Sequence, residues 1–390
     1  MSFSPPLQSL LIRNVLSFGA ESATIELGPL NVLIGPNGSG KSNLIQVIGL
    51  LKSAPRDLAA AIRVEDGISE WLWKGQPNPT ATIEAIVRYQ YKHLRYRLEF
   101  TRSGHRLEIT DERLENKDPY PGHDEPYFYF GYENDTPFIN VGESKRFLKR
   151  DSLNPQLSVL SQRKDPEQYP ELTHVGALFE RFQLYRDWEF GNIAGVRETS
   201  RVDVPDEWLE EDSGNLGIIV NKLKSDPTVN SKLKECLSRF SPDLVDVHTR
   251  VRQGRVELSL EERHLQSPVP ATRWSDGMIR WVALLAILLN PEAPPVVCIE
   301  EPELGMHPDM IPEVASLLID ASSRMQLIVT THSAQLVDAL SDQPDSVIVC
   351  EKSNGSTNLK RLSRKELPSW LEDYTLGRLW REGHLGGNRW

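Results

Sequence analysis

The sequence predicts an α/β fold: a mixed central sheet flanked by helices, with an antiparallel β lobe and a helical lobe. Three observations carry this. A short apolar strand, a glycine-rich run and a helical pattern follow one another over 30–51. Residues 81–110 alternate apolar with polar in three stretches, as antiparallel strands joined by tight turns do. In the last third, apolar strands alternate with helices, the pattern of a mostly parallel sheet covered on its faces.

Taken in order, 10–12 reads as the core of a first strand and 23–27 as a second, with Gly28 and Pro29 turning the chain into a strand at 30–34. The helical pattern then runs over 41–51. After the alternating region, 116–137 is rich in Pro, Gly, Asp and aromatics, so a long loop with one short strand at PYFYF is expected. Helical spacing returns over 143–150, 171–181 and 214–239, and strands are expected at 244–251 and 255–260. A loop over 264–273 leads to a helix over 276–289. Then come a fully apolar strand at 296–299, a helix at 311–321 and strands at 326–329 and 346–350. A polar tail holds one more strand and one short helix. The expected division is 1–150 for the first half of the core with the β lobe, 151–275 for the helical lobe, 276–350 for the second half and 351–390 for the tail.

The chain has 390 residues, 39% of them hydrophobic and 25% charged, the balance of a soluble globular protein. That length allows about two to three domain-sized units. With 44 Lys plus Arg against 55 Asp plus Glu, the net charge is −11, which argues against a uniform coat for nucleic acid but allows a local basic groove. Cys236, Cys298 and Cys350 form no metal-ligand spacing, and buried small hydrophobes in a reducing cytoplasm are expected. MSFSPPLQSL lacks a basic region followed by a long apolar core, so no signal peptide is expected. The apolar helical stretch 281–289 is far too short to span a bilayer, so no membrane partner is expected.

The glycine-rich run is GPNGSGKS: Gly35, Pro36, Asn37, Gly38, Ser39, Gly40, Lys41 and Ser42, with Asn43 next. Glycines let backbone N–H groups curl around phosphate oxygens that side chains would block. The helix start adds unpaired N–H donors and a favourable dipole. Lys41 can reach the outer phosphates, and the Ser42 hydroxyl can sit on magnesium. ATP and Mg²⁺ are therefore the expected cofactors, with GTP left open.

Two further apolar strands end in polar groups. Residues 296–299 end in Glu300 and Glu301. Glu300 is expected to reach the metal through an outer shell, because its carboxylate stands about 1.5 Å further out than that of an Asp. Glu301 is the expected general base for the attacking water. LIVTTH then delivers Thr330, Thr331 and His332 at a strand tip, where an imidazole can donate to the outermost phosphate. Ser275 and Asp276 are both reasonable N-caps for the next helix, whose free N–H groups would face an anion.

GPNGSGKS, RWSDGMIR at 273–280, VVCIEEPELGMHP at 296–308 and TTHS at 330–333 together resemble the ABC-type ATPases. The branch they resemble contains RecF, the structural-maintenance-of-chromosomes proteins and the overcoming-lysogenization-defect nucleases. Small armless AAA-like ATPases of bacterial operons are nearest in length and wording. The resemblance covers 10–55 and 270–350. It implies a P-loop NTPase with the architecture of an ABC-ATPase head, forming a homodimer in which Ser275, Asp276 and Gly277 cap the ATP of the other subunit. Ser275 would then join Lys41, Glu301 and His332 in the catalytic set. By the same resemblance Gln162 links magnesium to the helical lobe, in competition with Gln156 and Gln183. Arg13, with Asn14, lies near the base or ribose, and Glu303 and His307 lie at the dimer axis. Trp274 departs from the apolar Leu usual before the capping Ser.

The resemblance also implies the biology. Lys41 and Glu300 are separated by 259 positions with no heptad run between them, and the 40 residues after Cys350 are not expected to hold a nuclease domain. A bare head of this kind works with a separately encoded effector, often in bacteriophage defence, or as a DNA-binding ATPase in repair. The basic cluster Lys145, Arg146, Lys149 and Arg150 is the candidate DNA contact, and a solvated helix face accounts for it equally well. The tail DYTLGRLWREGHLGGNRW, with Trp380 and Trp390, is either a docking segment or a packed helix.

Overall fold

A computed structural model of the chain describes residues 3–21, 23–142, 144–149, 152–186, 199–367 and 374–387. The chain opens with strands β1 (Leu7–Arg13), β2 (Ala23–Glu26) and β3 (Leu30–Ile34), then helices α1 (Lys41–Ser53), α2 (Leu58–Val64) and α3 (Ile68–Trp71). A run of strands follows: β4 (Ala81–Tyr89), β5 (Lys92–Ser103), β6 (Arg106–Asn116), β7 (Phe128–Glu133), β8 (Thr136–Val141) and β9 (Ser144–Phe147). These join β1 and β2 in an eight-stranded antiparallel sheet, ordered β2-β1-β4-β5-β6-β7-β8-β9.

The expected helix over 143–150 is this β9, an edge strand with all four residues exposed. Strand pairing with β8 (Val141 with Ser144, Phe138 with Phe147) outweighs the helical spacing of its charges. Lys145 pairs with Glu133 and lies 4.1 Å from the centre of the Phe138 ring. Arg150 falls outside the described residues, as does Trp390.

The next stretch carries α4 (Val159–Gln162), α5 (Pro170–Glu180), β10 (Gln183–Tyr185) and β11 (Ser200–Arg201). The helical span expected over 214–239 is two helices, α6 (Leu216–Ser225) and α7 (Pro227–Phe240). Asp226 breaks it by capping the second, accepting from the N–H groups of Thr228 and Val229, with Pro227 in the first turn. These helices pack on a small antiparallel sheet of β11, β12 (Leu244–Arg252), β13 (Arg255–Glu262) and β14 (Val269–Pro270).

The remaining elements are α8 (Asp276–Leu288), β15 (Val296–Glu300), α9 (Ile311–Ala321), β16 (Gln326–Thr330), α10 (Ala334–Asp338), β17 (Val347–Ser353), β18 (Ser356–Arg361) and α11 (Leu376–Arg381). The second large sheet runs β10-β15-β16-β3-β17-β18, parallel throughout except for β18. It is a wall between two cores. Val32, Ile34, Val297, Ile299, Leu327 and Val329 face one core with α6 to α9, whereas Leu33, Val296, Cys298, Ile328 and Ile348 face the other with α1, α5 and the antiparallel sheet. Burial on both faces explains why these strands read as continuous apolar runs. All three cysteines are buried and free. α11 packs on α10 with Trp380 buried, so the described residues 374–387 form a packed helix with a turn beyond it. Among the described residues no helix is long and apolar enough to cross a membrane.

Candidate functional site

Strands β3, β15 and β16 are neighbours, so their carboxyl ends bring together segments far apart in sequence. After β3 the chain turns through 35–40 and enters α1 at Lys41. Gly40 has φ 103°, and a Cβ there would sit 2.3 Å from Thr357 Oγ1, so only glycine fits. Thr357 Oγ1 donates to the Ser39 carbonyl at 2.9 Å, and Asn43 Nδ2 donates to Ser17 Oγ at 2.7 Å, bracing the loop from outside.

The Lys41 ammonium folds back onto the loop, donating to the Gly35 and Pro36 carbonyls at 2.8 and 3.1 Å. Burial lowers its pKa, opposed by nearby Cys350, Glu301 and Glu300. Ser42 Oγ donates to Glu300 Oε2 at 3.1 Å. A hydroxyl and a carboxylate meeting at a helix start are the hard-oxygen pair that magnesium takes when phosphates supply the rest. Among the described residues there is no group of three or more His, Cys, Asp or Glu that could hold a metal ion.

Glu301 has φ 46°, in the left-handed region, with its N–H donating to the Thr330 carbonyl at 3.0 Å. Such a backbone is costly for Glu and turns its side chain out of the strand direction. Its Oε1 lies 3.8 Å from His332 Nε2. Burial and then Lys41 lower the His332 pKa, opposed by Glu301, which favours the neutral imidazole. Glu303 Oε1 accepts from Thr331 Oγ1 at 2.5 Å and from the His332 N–H at 3.1 Å. Its carboxylate thus faces inward, with its pKa raised by burial, while His307 stands exposed.

Ser275 is the N-cap of α8, accepting from the Met278 N–H at 3.2 Å. Ser275 and Asp276 are exposed, and Trp274 is buried with its indole N–H on the Val269 carbonyl at 2.9 Å. A Cβ on Gly277 would lie 2.9 Å from the Gly305 carbonyl oxygen, and Arg280 donates to the Leu304 carbonyl. The start of α8 is thereby packed onto the loop that carries Glu301.

The model of one protein family, described as "AAA domain, putative AbiEii toxin, Type IV TA system", matches residues 30–338, from the first residue of β3 to the last of α10. The chain belongs to this family. It is an ATP-binding, ATPase-like AAA domain, and its fold is that of an Smc head. An Smc head bound to the C-winged helix domain of ScpA superposes with a TM-score of 0.59 at 14% identity, covering 93% of this chain and 99% of that one. The Smc head of Pyrococcus furiosus, with an extended coiled coil and bound to the C-terminal domain of ScpA, gives 0.56 at 15% identity, covering 95% and 99%. That of Pyrococcus yayanosii, with a coiled coil and joint, gives 0.51 at 12%, covering 95% and 99%. At these identities the likeness is one of fold. No curated protein sequence matches the chain.

Within this AAA domain, residues 35–43, Glu300, Glu301 and His332 meet at one sheet edge. Gln162 does not join them. It sits at the end of α4, its Oε1 accepting from the Asn154 N–H at 2.8 Å and its Nε2 donating to the Leu157 carbonyl at 2.8 Å. Gln156 lies in that same turn, and Gln183 starts β10 opposite Val297, three residues before Glu300. Arg13 is tied to β4 through Thr82 Oγ1 at 3.2 Å. From the turn between β1 and β2, Ser17 reaches the loop, its Oγ accepting from Asn43 Nδ2 at 2.7 Å. On the strand beside Glu300, the side chain that arrives is Arg186, with Nε 3.4 Å from Glu300 Oε1. Nothing in LYRDW singles Arg186 out. Only the register of a three-residue strand places it.

Proposed function

We propose that this domain binds Mg–ATP at the 35–43 loop and hydrolyses it within a two-fold homodimer. The supporting observation is the convergence of Lys41, Ser42, Glu300, Glu301 and His332 on one edge, with Ser275 exposed on a separate helix start. Lys41 and the loop N–H groups would hold the phosphates, and Ser42 with Glu300 the magnesium. The ion, when bound, neutralises phosphate charge. Glu301 accepts the proton of the attacking water, and neutral His332 orients it. Ser275 and Gly277 of one copy close the site of the other, because a single-copy motif pair can be completed reciprocally by a two-fold axis.

The pairing regulates a separately encoded effector, and defence against bacteriophage in the bacterial cytoplasm is the setting we favour. A family description naming a toxin of a type IV toxin–antitoxin system supports a partner protein. The deciding experiment is sedimentation of Glu301→Gln with and without Mg–ATP. A nucleotide-dependent dimer is expected, and a monomer under every condition overturns the reading. A second reading, a RecF-like DNA-binding head, is favoured by the exposed Lys145, Arg146 and Lys149 around β9. It predicts filter binding that falls steeply with salt, and no retention at low salt removes it.

A further inference from the structure

Five side chains form a chain of contacts at the site, from Ser42 through Glu300, Arg186 and Glu65 to Gln46, and the magnesium reading uses only two of them. Tyr185 pairs with Ile299, so Arg186 stands abreast of Glu300 at the sheet edge. Arg186 Nε lies 3.4 Å from Glu300 Oε1, and its Nη1 donates to Glu65 Oε1 at 2.9 Å. Glu65, just past α2, accepts from Gln46 Nε2 at 2.6 Å on its other oxygen. Gln46 and Ser42 are four residues apart on α1 and share a face. Ser42 Oγ donates to Glu300 Oε2 at 3.1 Å, so both ends of the chain of contacts sit on α1. The carboxylate that faces the metal position therefore already carries a guanidinium on its second oxygen. A guanidinium keeps its charge at every working pH.

We propose that Arg186 is a positioning residue that sets the magnesium requirement of the site: it holds a counter-charge on Glu300 against which the divalent ion must bind, and Glu65 sets how strongly that charge is felt. The inference rests on the Mg–ATP reading above. The electrostatics has two opposite signs. A cation arriving at Ser42 and Glu300 is opposed by Arg186, whereas metal-free ATP, a tetra-anion, is attracted by it. Arg186 and Glu300 side chains are 30% and 17% exposed, so neither effect is screened to the level of bulk water.

The test is calorimetric ATP binding across a magnesium series and in EDTA, for wild type, Arg186→Met, Arg186→Lys and Glu65→Gln. Arg186→Met should lower the half-saturating magnesium on the order of tenfold and weaken metal-free ATP binding by a similar factor. Arg186→Lys should restore both towards wild type, and Glu65→Gln should raise the magnesium requirement severalfold. Damage to packing would weaken both kinds of binding together. That result, or no change in either, overturns the proposal. If Arg186→Met does not fold, an unchanged magnesium requirement in Glu65→Gln overturns it instead. Wild type that binds no nucleotide with or without magnesium would fail the Mg–ATP reading and this inference with it. Wild type that binds, with variants sharing its magnesium profile, fails this inference alone.

Discussion

Lys41 is bonded to two carbonyls of its own loop and lies close enough to His332 to depress that imidazole's pKa. Two consequences follow from one ammonium. Lys41→Ala removes the charged donor for the phosphates, and losing charge-assisted bonds of about 3 kcal/mol in total should weaken ATP binding at least about 100-fold in calorimetry. Unchanged affinity would refute the phosphate reading of the loop. The same substitution removes one of the two causes that hold His332 low, leaving burial alone. The His332 ring should then titrate at higher pH in Lys41→Ala than in wild type, followed by the NMR shift of its ring protons. A downward or null shift would mean that the two side chains do not sense each other.

At the level of elements, α8 shows how a local rule and a functional role separate. Ser275 caps the helix through its hydroxyl, and Ser275→Ala should cost about 1 kcal/mol in denaturant unfolding. Asp caps as well as Ser, so Ser275→Asp should keep stability within about 0.5 kcal/mol of wild type. It also places a negative charge where the other copy's triphosphate is proposed to sit, so it should abolish the ATP-dependent dimer in sedimentation. A dimer that persists in Ser275→Asp would remove Ser275 from the interface. Elements of this kind were legible in the sequence because cap, apolar face and flanking strand agree: α8, β3 with α1, β15 and β16 all follow from their own residues. β9 was not. Its four residues are exposed, so no burial period marks it, and only pairing with β8 decides its conformation. The same holds for the site. Residues 35–43, Glu300, Glu301 and His332 are written as motifs at strand ends. Arg186, Glu65 and Gln46 meet through strand register and the turn after α2, neither of which a single sequence displays. Gln162 was misplaced for the converse reason: glutamine fits a family pattern, but this one satisfies its amide within the turn after Asn154.

For the whole molecule, the parallel sheet divides the interior into two cores, and the one it shares with the antiparallel lobe contains a titratable defect. Glu112 on β6 is 2% exposed and accepts from Tyr96 Oη at 2.7 Å, Ser158 Oγ at 2.5 Å and the Val159 N–H at 2.8 Å. Burial outweighs those bonds and raises its pKa to about 7, from an ordinary 4.5. Between those two values the folded chain binds a proton that the unfolded chain releases, so stability falls as pH rises. The contribution is fully present below pH 4.5 and is lost as pH climbs through 7. The slope is about 1.4 kcal/mol per pH unit, so wild type should lose on the order of 2 kcal/mol relative to Glu112→Gln between about pH 5.5 and 7.5. The glutamine suits the site, since its carbonyl can accept from Val159 while its amide donates to the two hydroxyls, which turn to accept. Urea unfolding of both proteins across that range checks the sign. Parallel pH profiles would show that Glu112 is already ionised in the fold, stabilised by its three donors, and would leave the lobe without a pH-sensitive core.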